Sequence, residues 1–255
     1  MKGDIAPAYD LRSCRIGDVR ALCERHHGYG GAGNSATYAF GVWEEGAVVA
    51  AFLWQPPSLG ASKSVCPSAP HGVLSLSRMV AVPRAERRLR HISKPLRRQM
   101  RMLIDRGRWP ALVTYHDEGQ GHTGHVYKCS GWTPTVRRES PAFEDPETGR
   151  RVAPTTSGTT LENRRRMVRV GTRWLQRWEQ WACTPESAAE HITAAGWVRV
   201  PIPGKKWRSG AQAHRWEHNP EPDRQIALFG AVGARRVLWT PGAGYIYDPL
   251  SEGFE

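Results

Sequence analysis

Two apolar stretches separated by a three-residue turn constrain this chain most. Tyr38–Trp43 and Ala47–Trp54 are rich in aromatic and β-branched residues, and Glu44-Glu45-Gly46 between them is turn chemistry. The pair predicts a hairpin of two strands. Around it, Ile16, Val19, Leu22 and Cys23 fall at helical spacing, ending at Gly28. Val73–Val82 predicts a central strand stopped by Pro83. Leu89, Ile92, Leu96, Met100 and Leu103 predict a helix over 85–106, with Pro95 as a kink. Ala111–Tyr115 reads as a short buried strand, Val126–Cys129 as one helical turn, and Trp132 as the opening of another strand. The order is that of an α/β (α+β) protein, a mixed sheet flanked by helices.

Beyond residue 138 the pattern changes. Residues 139–160 are rich in Pro, Thr, Ser and Gly and predict a linker or flap. Met167, Val170, Trp174, Trp178 and Trp181 form one stripe of a long amphipathic helix predicted over Leu161–Ala182. A short helix near 186–195 and a strand at Trp197–Val200 follow. The expected organisation is thus a catalytic core over 1–138, a linker or flap over 139–160 and a basic extension over 161–255.

Charge narrows the partners. The chain carries 36 Lys+Arg against 24 Asp+Glu, a net +12. Residues 1–83 hold 7 against 6, so residues 84–255 hold 29 against 18, or +11. Arginine dominates the excess, and its forked guanidinium suits phosphate. A polyanion, nucleic acid first among them, is the expected partner. Arg165, Arg169, Arg173 and Arg177 recur every four residues, on a ridge that would track a phosphate backbone or simply face solvent. No apolar run is long enough to span a membrane. Five scattered cysteines without a CxxC pair predict free thiols.

Chemistry concentrates in THR114–TRP132 of the chain, TYHDEGQGHTGHVYKCSGW. A strand ending at Tyr115 presents His116 and Asp117 at a sheet edge, where α/β proteins commonly place ligands. Asp117 can orient or deprotonate an amine, or cap the following turn. Tyr127 can donate a proton or align a leaving group. His122 and His125, three apart, suit one face of a helical turn or a metal pair. A second cluster, RHHGYGG, puts His26, His27 and Tyr29 at a helix end. A third, PRAERRLRHIS, joins a strand to a helix and carries four arginines over Pro83–Arg90, a ready anion site.

Taken together, HHGYGG, NSATYAFGVW, PPSL, LSLSRMV and VTYHDEGQGHTGHVYKCSGW resemble, in that order over roughly residues 20–135, the Mom family of bacteriophage DNA-modification proteins. The resemblance implies a GNAT-like fold and transfer of an acyl-type group, acetamido or methylcarbamoyl, to the N6 amine of adenine in double-stranded DNA. Such modification protects phage DNA from restriction in the cytoplasm of the infected bacterial host. It further implies catalytic roles for Asp117, Tyr127, His27 and Tyr29. Arg78, Ser93 and Tyr38 would bind an acetyl-CoA-type donor, and His26 or His27 would bind a metal, iron among the options. In GNAT-type acetyltransferases the strand–helix junction cradles the pyrophosphate of acetyl-CoA; the usual glycine pair is missing here. Arg90 stands where the family's N-x-x-S pattern has Asn. The rival expectations are an acetyltransferase acting on a small amine or protein, and an inactive DNA-binding module.

Overall fold

The computed structural model describes residues 9–28, 35–149, 151–152, 167–206 and 212–219, with short strands at 235–236, 238–240 and 244–246. An eight-stranded mixed sheet carries the fold, in the order β1-β2-β3-β4-β5-β8-β6-β7. Its strands are β1 (Asp10–Ser13), β2 (Tyr38–Glu44), β3 (Ala47–Gln55), β4 (Val73–Ala81), β5 (Ala111–Asp117), β6 (Thr133–Glu144), β7 (Arg151–Val152) and β8 (Val168–Trp181). The helices are α1 (Ile16–His26), α2 (Leu59–Val65), α3 (Ser93–Asp105), α4 (His125–Ser130) and α5 (Ala188–Ala194). Strands β9 (Trp197–Lys206), β10 (Gln212–His218) and β11 (Arg235–Arg236) form a second sheet, and β12 (Leu238–Thr240) pairs with β13 (Gly244–Ile246).

The hairpin forms where expected. Glu44 pairs with Ala47, so Glu45 and Gly46 make a two-residue loop with φ of +50° and +81°. Positive φ at both positions is the turn whose twist matches paired strands, and Gly46 takes the second without strain. Phe40, Val42, Ala50, Phe52, Leu53 and Trp54 are all buried. Helix α1 closes over this surface, with Val19 and Cys23 packed on Ala39, Ala51, Leu53 and Val80.

The chain divides into two compact units. The first comprises residues 1–55, 75–99 and 113–180; the second comprises 56–74, 100–112 and 181–255. In the second, the Trp197 indole donates to the Arg106 carbonyl at 2.8 Å, and the His218 ring lies 4.8 Å from Trp197.

Three expectations change. Residues 168–181 are strand, not the amphipathic helix predicted over 161–182, and β8 lies between β5 and β6. A spacing of four brings residues to one face of a helix and also to one face of a strand, so the Trp and Arg stripes did not discriminate. Val168, Val170 and Thr172 favour the strand. Nor is the stripe core: Trp178 is buried, but Val170 and Trp174 are exposed, and Arg137 stacks over Trp174 at 4.2 Å. Secondly, the sheet does not stop at residue 138. Strand β6 runs to Glu144 inside the stretch read as linker. Thirdly, α3 starts at Ser93 rather than near 85, which puts Pro95 in its first turn, where proline is tolerated, and removes the kink.

One buried hydrogen bond ties the hairpin to α3. The Trp54 indole, fully buried, donates to Gln99 Oε1 at 3.0 Å. Gln99→Leu leaves that N–H without its acceptor and is expected to cost about 1–3 kcal/mol, read as a lower midpoint in thermal unfolding.

Candidate active site at the end of strand β5

Strand β5 is buried almost throughout, with Leu112 and Val113 inaccessible to solvent. Alternation along it sends Thr114 and His116 to one face and Tyr115 and Asp117 to the other. Glu118–Gln120 then form a single 3-10 turn, and α4 begins at His125 after Gly124. Gly124 has φ of +69°, and a Cβ there would stand 2.4 Å from Trp178 and 2.9 Å from His116. Only glycine lets α4 come this close.

On the His116 face lies an aromatic cluster. The Trp178 indole donates to His116 Nδ1 at 2.7 Å, which makes Nδ1 the acceptor and assigns the ring's proton to Nε2. Tyr127 stacks on His116 at 6.4 Å, tilts against Trp178 at 5.8 Å and meets Trp132 edge-on at 6.1 Å. Trp132 in turn stacks on Trp54 at 6.2 Å. Tyr38 pairs with Trp54 across β2 and β3, on the same side of the sheet. Burial raises the Tyr127 phenol above its ordinary range, partly offset by a hydrogen bond with the Thr114 side chain. Tyr127 therefore keeps its proton at neutral pH.

Asp117 is 5% exposed and paired with Arg173 of β8, Nη1 to Oδ2, at 2.9 Å. Its other oxygen accepts from the Gly119 amide at 2.9 Å, capping the 3-10 turn.

The end of α1 reaches the same loop. His27 caps the helix, and a Cβ on Gly28 would lie 2.2 Å from the Gln120 side chain. Burial first, then the nearby Arg78 and His122 charges, pull the His27 imidazole down to about 4. Burial also lowers His116, and His122 opposes its protonation too, while Glu118 and Asp117 work the other way. His122 thus stands near both His27 and His116. His27 and His116 are neutral at pH 7.

The remaining expected residues distribute as follows. Arg78 of β4 is largely buried and donates to the Ser77 carbonyl at 2.7 Å. Ser93 opens α3, its carbonyl accepting from Ser130 at 3.3 Å. His26 is the last residue of α1, and Tyr29 lies outside the described residues. His125 turns to Cys129, Nε2 to Sγ 3.3 Å, rather than to His122. Among the described residues no three His, Cys, Asp or Glu side chains gather as a metal site, so the iron and the His26/His27 ligand expectations gain no support. Of the arginine ridge, Arg165 lies outside the described residues. Arg173 holds Asp117, Arg177 holds Glu179 at 2.7 Å, and Arg169 is exposed. Sequence reasoning missed Trp178 as a site residue; its place on a predicted helix hid that it faces β5.

The β4–α3 junction was tested as an anion cradle. Its Arg88 and Leu89 amides donate to the Glu44 carboxylate at 2.7 and 2.6 Å. Arg87 folds back onto the Val82 and Leu89 carbonyls. A pyrophosphate cannot use those two amides while Glu44 holds them, so they do not fit an acetyl-CoA cradle.

A mixed sheet flanked by helices, with the buried Asp117–Arg173 pair on one face of β5 and the His116–Tyr127–Trp178 cluster on the other, defines an α/β protein. The chain belongs to the Mom protein family, whose model matches residues 9–184. No curated protein matches it in sequence. Among solved structures it is similar to the ribosomal-protein-S18-alanine N-acetyltransferase from Escherichia coli, at 12% identity and a TM-score of 0.43, over 69% of this chain and 95% of that one. An N-acetyltransferase from Staphylococcus aureus Mu50 gives 10% and 0.42, over 69% and 99%. An acetyltransferase from Salmonella typhimurium, solved with its cofactor acetyl-CoA, gives 12% and 0.43, over 69% and 95%. At such scores the likeness is loose. Among the described residues no helix is long and apolar enough to cross a membrane.

Two outcomes follow from this electrostatics. With a folded value of about 4 against 6.5 unfolded, His27 binds its proton more readily in the unfolded chain. Stability is therefore expected to fall as pH drops below 6.5 and to lose about 3 kcal/mol by pH 4. His27→Gln should flatten that slope in melts between pH 7.5 and 4.5. Arg173→Met strands a buried carboxylate and is expected to cost about 3 kcal/mol, part of which Asp117→Asn should restore in the double variant.

Proposed function

We propose that this protein is a transferase that places an acyl-type group, acetamido or methylcarbamoyl, on the N6 amine of adenine in double-stranded DNA. The reading rests on one observation above the rest: the family model matches residues 9–184, and within them the end of β5 holds Asp117 on one face and His116 with Tyr127 on the other. The adenine amine is a poor nucleophile because its lone pair is delocalised into the ring. Catalysis must therefore make that lone pair available and manage one proton.

Asp117 is suited to the first task. Its carboxylate accepts a hydrogen bond from the N6–H and draws the proton as the nitrogen attacks. Arg173, 2.9 Å away, keeps that carboxylate ionised and fixed in direction. Tyr127 is suited to the second, since a phenol that retains its proton can hand it to a departing group. His116, with Nε2–H directed by the Trp178 bond, and neutral His27 supply donors without adding positive charge.

The donor is an activated acyl compound. With the Arg88 and Leu89 amides held by Glu44, Arg78 and Ser93 are the proposed donor-side residues. Activity in the cytoplasm of a phage-infected bacterium and protection from restriction belong to the same reading.

Co-expression with plasmid, followed by digestion and mass spectrometry of the nucleosides, tests it. Wild type should yield a heavier adenine nucleoside. Asp117→Asn and Tyr127→Phe should each lower its yield by about 100-fold without abolishing DNA binding. Unaltered nucleosides from folded wild-type protein, or an acetylated small amine instead, would overturn the proposal.

A further inference from the structure

The second sheet carries a basic and aromatic face that the β5 site does not use. In β9 and β10, Arg199 pairs with Trp216 and Pro201 with His214, so these four side chains share one side of the ribbon. Arg199 and Pro201 are exposed, while His214 and Trp216 are half-buried. Arg215 and Glu217 alternate to the opposite side, where they pair at 2.6 Å. Onto the first side comes Arg108, its guanidinium 3.8 Å from the Trp216 ring and 4.1 Å from Trp109. Sandwiched between two indoles and 4% exposed, it is a fixed positive charge. His71, from the Pro70–Gly72 turn before β4, completes the group: burial first, then the nearby Arg199, Arg108 and His214, oppose its protonation. His214 also has a buried Nδ1 with no hydrogen-bond partner.

Arg108 and Arg199 bring two positive charges to one side of the ribbon, and an anion docking there would meet both. This is an exposed strand face rather than a cavity, so it suits a repeating anion better than a small one. Exposed Arg199 and His71 offer donors to phosphate, and the indole beside them offers stacking surface. All of them but His71 also belong to residues 84–255, which carry the +11 excess.

We infer that the face formed by His71, Arg108, Arg199, His214 and Trp216 docks the phosphodiester backbone of DNA. This rests on the reading of DNA as substrate and assigns a grip on it to residues other than those of the acid–base site. It replaces the β8 ridge, where Arg173 and Arg177 are committed to Asp117 and Glu179.

The test is fluorescence anisotropy of a labelled DNA duplex with the full chain, titrated at several salt concentrations, beside the plasmid modification assay. Arg199→Gln removes one exposed charge from the face; Arg215→Gln removes one from the opposite side and serves as the matched control. Arg199→Gln combined with His71→Gln should weaken binding about tenfold, and Arg199→Gln alone should lower the slope of log affinity against log salt by about 1. Arg215→Gln should stay within about twofold of wild type, since its charge is already paired. Equal effects of Arg199→Gln and Arg215→Gln, or none from the double variant, would overturn the docking face while leaving DNA modification standing. Wild-type protein that neither binds duplex nor alters plasmid would overturn both. Wild-type modification with unchanged binding in the double variant separates the two.

Discussion

A carboxylate can be buried at the end of a central strand only if a cation goes in with it, and that requirement organises this molecule. Asp117 is brought inside by β5, one of the least accessible strands of the sheet. Arg173 comes with it because β8 runs alongside. The same strand, five residues on, delivers the Trp178 indole to His116. One strand therefore settles the state of both titratable residues at the tip of β5: it holds the carboxylate ionised and gives the imidazole a defined tautomer. Without β8 at that edge, Asp117 would face a desolvation penalty of several kcal/mol and would take up a proton instead.

The aromatic cluster extends this logic from charge to shape. Tyr127, His116, Trp178, Trp132 and Trp54 make a continuous run of ring contacts that starts at the hairpin and ends at β8. Gly124 makes the run possible, because no side chain fits between α4 and the two rings it presses on. The packing that stabilises the sheet and the residues proposed for chemistry at Tyr127 and His116 thus share one cluster. Substitutions here are expected to move stability and activity together, which is why the functional tests rely on Asp117→Asn and Tyr127→Phe, changes that preserve shape.

Much of this was legible in the residues themselves. The hairpin was readable because Glu45 and Gly46 carry turn chemistry between apolar runs, and α1 because its apolar spacing ends at a glycine. Asp117 and Tyr127 stood out as titratable groups among glycines at a strand end. Three things were hidden. The four-residue spacings of Trp174 with Trp178 and of Arg169, Arg173 and Arg177 satisfy helix and strand alike, so their true partner, β5, could not be read from them. The pairing of Arg173 with Asp117 spans 56 positions and leaves no local trace. The aromatic positions Trp54 and Trp132 read simply as strand residues, since nothing in a linear pattern says which rings will stack.

The Glu44 carboxylate, two residues from the tip of the hairpin, gives the molecule a resident competitor. It grips the Arg88 and Leu89 amides ahead of α3 through two short bonds. Being tethered, it acts at an effective concentration far above that of most free metabolites. Any dissolved phosphate or carboxylate seeking those amides must displace an occupant that never diffuses away, so the junction selects against weak and casual anions before any question of catalysis arises.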